Sequence, residues 1–178
     1  MNGESSYRRF LDGDEGAASE IIREYREGLI FFIYRYVKNE SVAEDIAIDA
    51  FSDLFVKKHR YNFKVSLKTY LYMIAKSKAL NYIKRSKIIV ISELTGKEAD
   101  ETLTPESHLL QKEENLMLHS AMAELSEDMR SALHLIYFEQ MSYAQAAKVM
   151  GKSEKQISNL LYRAKGKLRE ILGGDFIK

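Results

Sequence analysis

Residues 142–169 read SYAQAAKVMGKSEKQISNLLYRAKGKLR, and the placing of serines, glutamines and Gly151 in this stretch predicts two helices joined by a tight turn. Ser142 with Gln145, and Ser153 with Gln156, each make the pattern of a capping box, in which the serine hydroxyl accepts from the backbone three residues on while the glutamine reaches back. Two helix starts therefore fall eleven residues apart. Gly151 stands between them, where a left-handed residue ends the first helix. In the second helix Ile157, Leu160, Leu161, Ala164 and Leu168 recur at helical spacing and form the expected buried stripe. Lys155, Asn159, Tyr162 and Gly166 point the other way, flanked by Ser158, Arg163 and Arg169. A face that mixes amides, a hydroxyl, an aromatic ring and cations suits base edges and phosphates in a major groove. The stretch therefore reads as a helix-turn-helix, although an ordinary helical hairpin with a solvated basic face shares the local pattern.

The rest of the chain bounds the class. Its 178 residues suffice for one domain or two small ones, and 46% hydrophobic with 11% aromatic residues can fill packed cores. There is no cysteine, which removes disulfides and thiolate metal sites and fits a reducing compartment. The apolar run Leu29 to Val37 contains Arg35 and is far short of the roughly 20 residues that span a bilayer. The opening MNGESSYRRFLDGDEG lacks the apolar core of a signal peptide, so a cytoplasmic protein is expected.

A net charge of +1 conceals segregated blocks. Residues 12–53 carry 4 basic and 11 acidic side chains, whereas residues 54–92 carry 10 and none. Residues 93–114 return to 2 against 7, and residues 148–178 carry 8 against 3. Two basic blocks between acidic ones suggest two surfaces for nucleic acid and acidic faces kept for another partner.

Helical periodicity runs nearly throughout, with only the short IIVIS stretch, Ile88 to Ser92, open to a strand reading. The only proline, Pro105, lies in the acidic segment TGKEADETLTPESH, the best linker candidate. The expected fold is all-α: one small helical domain over residues 1–88, an acidic flexible linker over 89–111, and a second helical domain over 112–178. Ser41 and Glu44 suggest a third capping box, opening a helix through Phe55. Its buried face is Ala43, Ile46, Ala47, Ala50 and Leu54, while Asp45, Asp49 and Asp53 stack one per turn beside Ile48, Ser52 and Phe55. Like charges at that spacing cost an isolated helix about 0.2–0.5 kcal/mol per pair, so a basic partner explains them better than helix stability does. Next come KKHRYNFKVS, Lys57 to Ser66, and a helix LKTYLYMIAKSKALNYIKRSK. Tyr61, Phe63, Tyr70, Tyr72 and Tyr82 interleave there with Lys57, Lys58, Arg60, Lys76, Lys78, Lys84 and Arg85. Aromatic rings among cations are what a protein holding single-stranded nucleic acid uses, though half or more of these tyrosines belong in the core at helical spacing.

The order AEDIAIDAFSDLF, basic loop, SLKTYLYMIAKSKALNYIKR, acidic linker and SYAQAAKVMGKSEKQISNLLYRAKGKLR resembles a bacterial sigma-70 family factor of the extracytoplasmic-function group, over nearly the whole chain. The resemblance implies that the first domain (region 2) binds the clamp coiled coil of core RNA polymerase and captures the melted -10 element. It implies that the second (region 4) binds the polymerase flap and reads the duplex -35 element. Carried over by position, Asp45, Ile48, Asp49 and Ser52 match the polymerase-binding helix. The loop Lys57, Lys58, Arg60, Tyr61, Asn62, Phe63 and Lys64 matches the pocket for a flipped -10 base. Lys76, Ser77, Lys78, Asn81, Lys84 and Arg85 fall in the promoter helix. Ser158, Asn159, Tyr162 and Arg163 match positions facing the -35 element, with Lys155 and Gln156 near the backbone. The chain departs from the family pattern at Tyr70, Lys76 and Ser77, which bear on the -10 bases, at Ser158 and Leu160, which bear on the -35 preference, and at Ala144, where a glutamate is usual. The resemblance also implies an anti-sigma partner, commonly membrane-bound, and neither cofactor nor covalent chemistry.

Two other classes compete. A helix-turn-helix regulator without polymerase contacts shares the C-terminal reading but leaves the carboxylate stripe and the basic aromatic block unexplained. An enzyme on nucleic acid would need a metal or acid-base cluster, and His59, His108, His119 and His134 have no ligand spacing. His134, within LHLIYF, reads as a packed helix residue.

Overall fold

A computed structural model of the chain describes residues 3–93 and 121–172. The acidic segment with Pro105 lies outside the described residues. Among those described, the regular structure is helical. The helices are α1 (Gly3–Leu11), α2 (Glu15–Val37), α3 (Glu40–Val56), α4 (Leu67–Glu93), α5 (Glu127–Leu133), α6 (Tyr143–Met150) and α7 (Glu154–Leu172). Ile88 to Ser92 continue α4 as helix rather than forming a strand.

Local chemistry sets the ends. Asp14 caps α2 by accepting from the Ala17 amide, and Lys38, in a left-handed conformation at φ 56°, closes it. Asn39 follows at once and caps α3, its Oδ1 accepting from the Val42 amide at 3.0 Å. The expected Ser41 box is therefore displaced: the helix starts two residues earlier, because an asparagine in extended backbone already satisfies the first-turn amide. Glu44 instead pairs with Arg26 of α2 at 3.1 Å. Both C-terminal boxes form as expected. Ser142 Oγ accepts from the Gln145 amide at 3.2 Å while Gln145 Oε1 accepts from the Ser142 amide at 2.8 Å, and Ser153 with Gln156 repeats both bonds at the same distances. Gly151, at φ 67°, makes the turn between α6 and α7.

The predicted stripe of α3 is buried throughout, with Phe51 added. It packs with α2 and α4 around Leu29, Phe32, Ile33, Leu71 and Tyr72. Tyr7 of α1 is fully buried and ties down the far end of α3, donating to the main-chain oxygens of Leu54 and Lys58 at 3.0 Å each. Burial pushes this phenol up to about 12. In the C-terminal half α5 runs into a wider turn at His134–Phe138, where the Glu139 amide donates to the His134 carbonyl. Ile157, Leu161, Ala164, Leu168 and Leu172 of α7 close over α5 and α6. The apolar residues of the two halves join in one continuous core, with α6 lying against α4.

Candidate nucleic-acid interface

The helix-turn-helix presents the face its spacing predicted. Once Ile157, Leu161, Ala164 and Leu168 turn inward, Lys155, Gln156, Ser158, Asn159, Tyr162 and Arg163 are all exposed. Tyr162 is 81% exposed, more than any other large hydrophobic side chain among the described residues. A tyrosine left in water at that level has its ring face and hydroxyl free to meet a partner. Gln156 commits its carbonyl oxygen to the Ser153 amide and presents its amide nitrogen. The N-terminus of this 19-residue helix adds its own positive end to Lys155.

On α3, Asp45, Ile48, Asp49 and Ser52 are exposed along one face, with Ile48 64% and the neighbouring Val56 77% exposed. Carboxylates around bare aliphatic side chains form a surface that a basic, partly apolar partner would cover. The third carboxylate of the stripe behaves differently. Asp53 accepts from Lys57 at 2.8 Å and lies 3.2 Å from the Lys78 amine, and the Lys57 hydrogen bond leads in holding its carboxyl below the usual range. Asp49 reaches the same Lys78 at 4.0 Å.

The basic loop is built on an aromatic anchor. A short 3-10 turn, Lys58–Arg60, leads to Tyr61, which is 4% exposed. Its ring packs on Tyr7, Phe63 and Tyr70 at 5.3, 4.6 and 5.1 Å, and its hydroxyl donates to the Val65 carbonyl at 2.8 Å. This corrects the expectation of Tyr61 as a stacking surface: a ring with that burial and a satisfied hydroxyl is a packing residue. Phe63 is half-buried at φ 59°, a left-handed backbone rare for a bulky side chain, and the Arg8 guanidinium sits 4.1 Å above its ring. Asn62 is exposed and turns the chain by accepting from the Lys64 amide. Lys57, Arg60 and Lys64 project outward and Lys58 is half-buried.

The promoter-helix candidates divide three ways. Ser77, Asn81, Lys84 and Arg85 lie exposed along one face of α4. Lys78 turns to α3, as above. Lys76 is half-buried and donates to the main-chain oxygen of Met150 at the end of α6, 2.6 Å away, and burial lowers its pKa.

Spacing alone missed a buried polar cluster between the halves. Glu139, its side chain 11% exposed, sits 2.7 Å from the Lys68 amine and 3.2 Å from His134 Nε2, and Lys68 also donates to the Glu139 carbonyl at 2.8 Å. Burial alone would raise this carboxyl, but the neighbouring His134 ring and Lys68 amine bring it down to about 2. His134 is packed as expected, 2% exposed, and burial holds its imidazole below the usual value. Nothing local marks Glu139, because Lys68 lies 71 residues earlier.

Two family matches cover most of the chain: Sigma-70 region 2 over residues 21–88 and Sigma-70, region 4 over residues 115–168. The ECF RNA polymerase sigma factor SigM of Bacillus subtilis is 25% identical over 154 residues, covering 85% of this chain and 93% of that protein. The RNA polymerase sigma-H factor of Pseudomonas aeruginosa is 26% identical over 174 residues, covering 92% and 90%. Among solved structures, the sigma factor RpoE of Bartonella quintana, in complex with the anti-sigma factor NepR, aligns with a TM-score of 0.70 at 21% identity over 88% of this chain and 97% of that one. CnrH, in complex with the cytosolic domain of CnrY, aligns at 0.65 and 17% identity over 96% of each chain. At these identities the two structures establish the shared fold.

Proposed function

The chain belongs to the sigma-70 family of RNA polymerase sigma factors, in its extracytoplasmic-function group, and on that footing we propose how its surfaces divide the work of initiation. The exposed face of α3, with Asp45, Ile48, Asp49 and Ser52, docks on core polymerase. The outer face of α7 reads the -35 duplex through Ser158, Asn159, Tyr162 and Arg163, while Lys155 and Gln156 hold the backbone. Ser77, Asn81, Lys84 and Arg85 of α4, with Lys57, Lys58, Arg60, Asn62 and Phe63 of the loop, hold the melted -10 strand. Lys76 and Lys78 join them once released from Met150 and Asp53. Region 2 function falls to residues 1–88 and region 4 function to residues 112–178. The action is binding without covalent chemistry. No helix of the described residues is long and apolar enough to cross a membrane. Of the two structural neighbours, RpoE was solved with the anti-sigma factor NepR bound and CnrH with the cytosolic domain of CnrY, and a protein of NepR's kind is the proposed inhibitor here.

The observation that carries the reading is the exposure of Tyr162 within an otherwise polar face on a doubly capped helix-turn-helix. Run-off transcription with purified core polymerase tests it. Core plus this chain should initiate from a promoter that core alone ignores. Sequence-specific duplex binding without initiation would favour a regulator that leaves polymerase alone.

A further inference from the structure

The proposed function leaves α1 without a task, although this helix brings a cation to the loop assigned to the -10 strand. Its inner side is fixed. Tyr7 is fully buried, with its hydroxyl 3.0 Å from the main-chain oxygens of Leu54 and of Lys58, the residue that opens the 3-10 turn of the loop. Phe10 packs on Phe55 with ring centres 5.0 Å apart. The last turn of α1 then holds two arginines with different partners. Arg9 is occupied by the carboxylates of Asp14 and Glu20. Arg8 is exposed and, among the described residues, has no salt-bridge partner; its guanidinium lies 4.1 Å from the centre of the Phe63 ring.

Phe63 is held for that contact. A bulky residue keeps a left-handed backbone, here φ 59°, only where its surroundings over-determine it, and such positions gather at ligand clamps. Tyr61 and Tyr7 grip its ring from the core side at 4.6 and 6.2 Å. The stack therefore runs from Tyr61 through Phe63 to Arg8, and it ends at the surface in a guanidinium rather than in an aromatic ring. With Tyr61 buried and Phe63 covered, the loop has cations in plenty but lacks an open ring of its own for a base.

We infer that Arg8 is a binding residue of the -10 site: an unpaired base of the melted strand stacks on the outer side of its guanidinium, whose inner side rests on Phe63. The inference deepens the -10 role proposed for the loop and rests on it. A guanidinium is planar, delocalised and weakly hydrated, so it can stack on both sides at once. Its N–H donors stay in its plane, where a flanking phosphate meets them. A lysine ammonium at the same place would supply the charge without the plane.

The test uses holoenzyme and single-stranded oligonucleotides that carry the -10 element of a promoter active in run-off, each with one base replaced by an abasic site. In wild type one such replacement should weaken binding about ten-fold, the size of one lost base stack. Arg8→Ala should weaken the intact oligonucleotide by about as much, lower the salt slope by about 0.7, and make that same abasic replacement nearly silent, as two changes to one contact do not add. Arg8→Lys should keep the salt slope and still bind several-fold more weakly. Binding to a -35 duplex should not change in either variant, and thermal melting checks that both fold. The proposal is overturned if Arg8→Ala binds the intact oligonucleotide as tightly as wild type or more tightly, since the guanidinium then only covers Phe63. It is overturned equally if every abasic penalty persists in Arg8→Ala, which would make the loss an indirect effect of a loosened loop, or if Arg8→Lys matches wild type, which would leave charge alone. A wild-type holoenzyme without affinity for the single strand removes the -10 role of the whole loop, an outcome read before any variant is compared.

Discussion

Replacing Glu139 by glutamine keeps the shape of the side chain and removes its charge, so the variant isolates what the buried carboxylate contributes. The group moves from a reference near 4.5 to about 2 in the folded chain, and its side chain is only 11% exposed, so solvent screening is small. At about 1.36 kcal/mol per unit, the full shift corresponds to about 3 kcal/mol at neutral pH. Because the folded-state value is the lower one, the unfolded chain takes up the proton first. The stabilisation is complete above pH 4.5 and is lost as pH falls towards 2. By pH 3.5 roughly 1 kcal/mol of it should be gone. Urea unfolding of wild type and Glu139→Gln at pH 7, 5 and 3.5 measures the difference. It should be greatest at pH 7 and 5 and visibly smaller at pH 3.5, with equal slopes against denaturant. A difference that stays constant across the three, or a variant as stable as wild type at pH 7, would refute the assignment of charge to this cluster.

Reversing Asp45 and Asp49 to lysine should weaken core binding about ten-fold or more, as close complementary charges are lost, without loss of helicity; core pull-down beside circular dichroism decides it, and undiminished capture by the folded variant would sink the docking face. Asn159→Ala or Arg163→Ala should cost about 1–3 kcal/mol on the preferred -35 sequence and flatten discrimination, whereas Lys155→Ala should weaken all sequences alike and lower the salt slope by about 1. Holoenzyme binding to a -35 variant series reads both, and retained discrimination would show that α7 faces DNA differently. In the loop, Tyr61→Ala should unfold the aromatic anchor at a cost of about 3–5 kcal/mol. Arg60→Ser with Asn62→Gly should spare stability and -35 binding while lowering holoenzyme affinity for a single-stranded -10 oligonucleotide; a normal oligonucleotide affinity would remove those two residues from the -10 site.

What could be read from the sequence was set by short-range chemistry. The boxes at Ser142 and Ser153 and the turn at Gly151 involve partners three or four residues apart, and the structure forms each of them. The stripe of α7 was legible for the same reason: once one side of a helix is apolar, the direction of the other side follows. Where a competing local signal existed, the pattern misled. Asn39 and Ser41 are both good cap residues, and the left-handed Lys38 decides between them by ending α2 immediately before Asn39. Tyr61 has the same composition signature whether it stacks on a base or anchors a loop. Only the arrival of Tyr7 from α1, 5.3 Å away, makes it an anchor.

The basic block of residues 54–92 shows why charge counting stops short of a site. Its ten cations share one sign in sequence, but the fold employs them for different ends. Lys68 neutralises Glu139, Lys76 holds the end of α6, and Lys57 and Lys78 answer the carboxylate of Asp53. Only those left outward, such as Arg60, Lys64, Lys84 and Arg85, present charge directly to a polyanion. The partners that capture Lys68 and Lys76 come from the C-terminal half, beyond any window in which periodicity operates. The pairs are not equal barriers to DNA. The Lys78 and Asp53 side chains are 26% and 31% exposed, so their bridge is partly solvent-screened and yields cheaply to phosphate. Lys68 faces a carboxylate only 11% exposed, and breaking that pair strands a desolvated charge unless the whole half withdraws. The cost of freeing a cation in this chain therefore rises with how much of the C-terminal half must move with it. On the proposed function, that ordering rather than net charge sets which lysines reach DNA first.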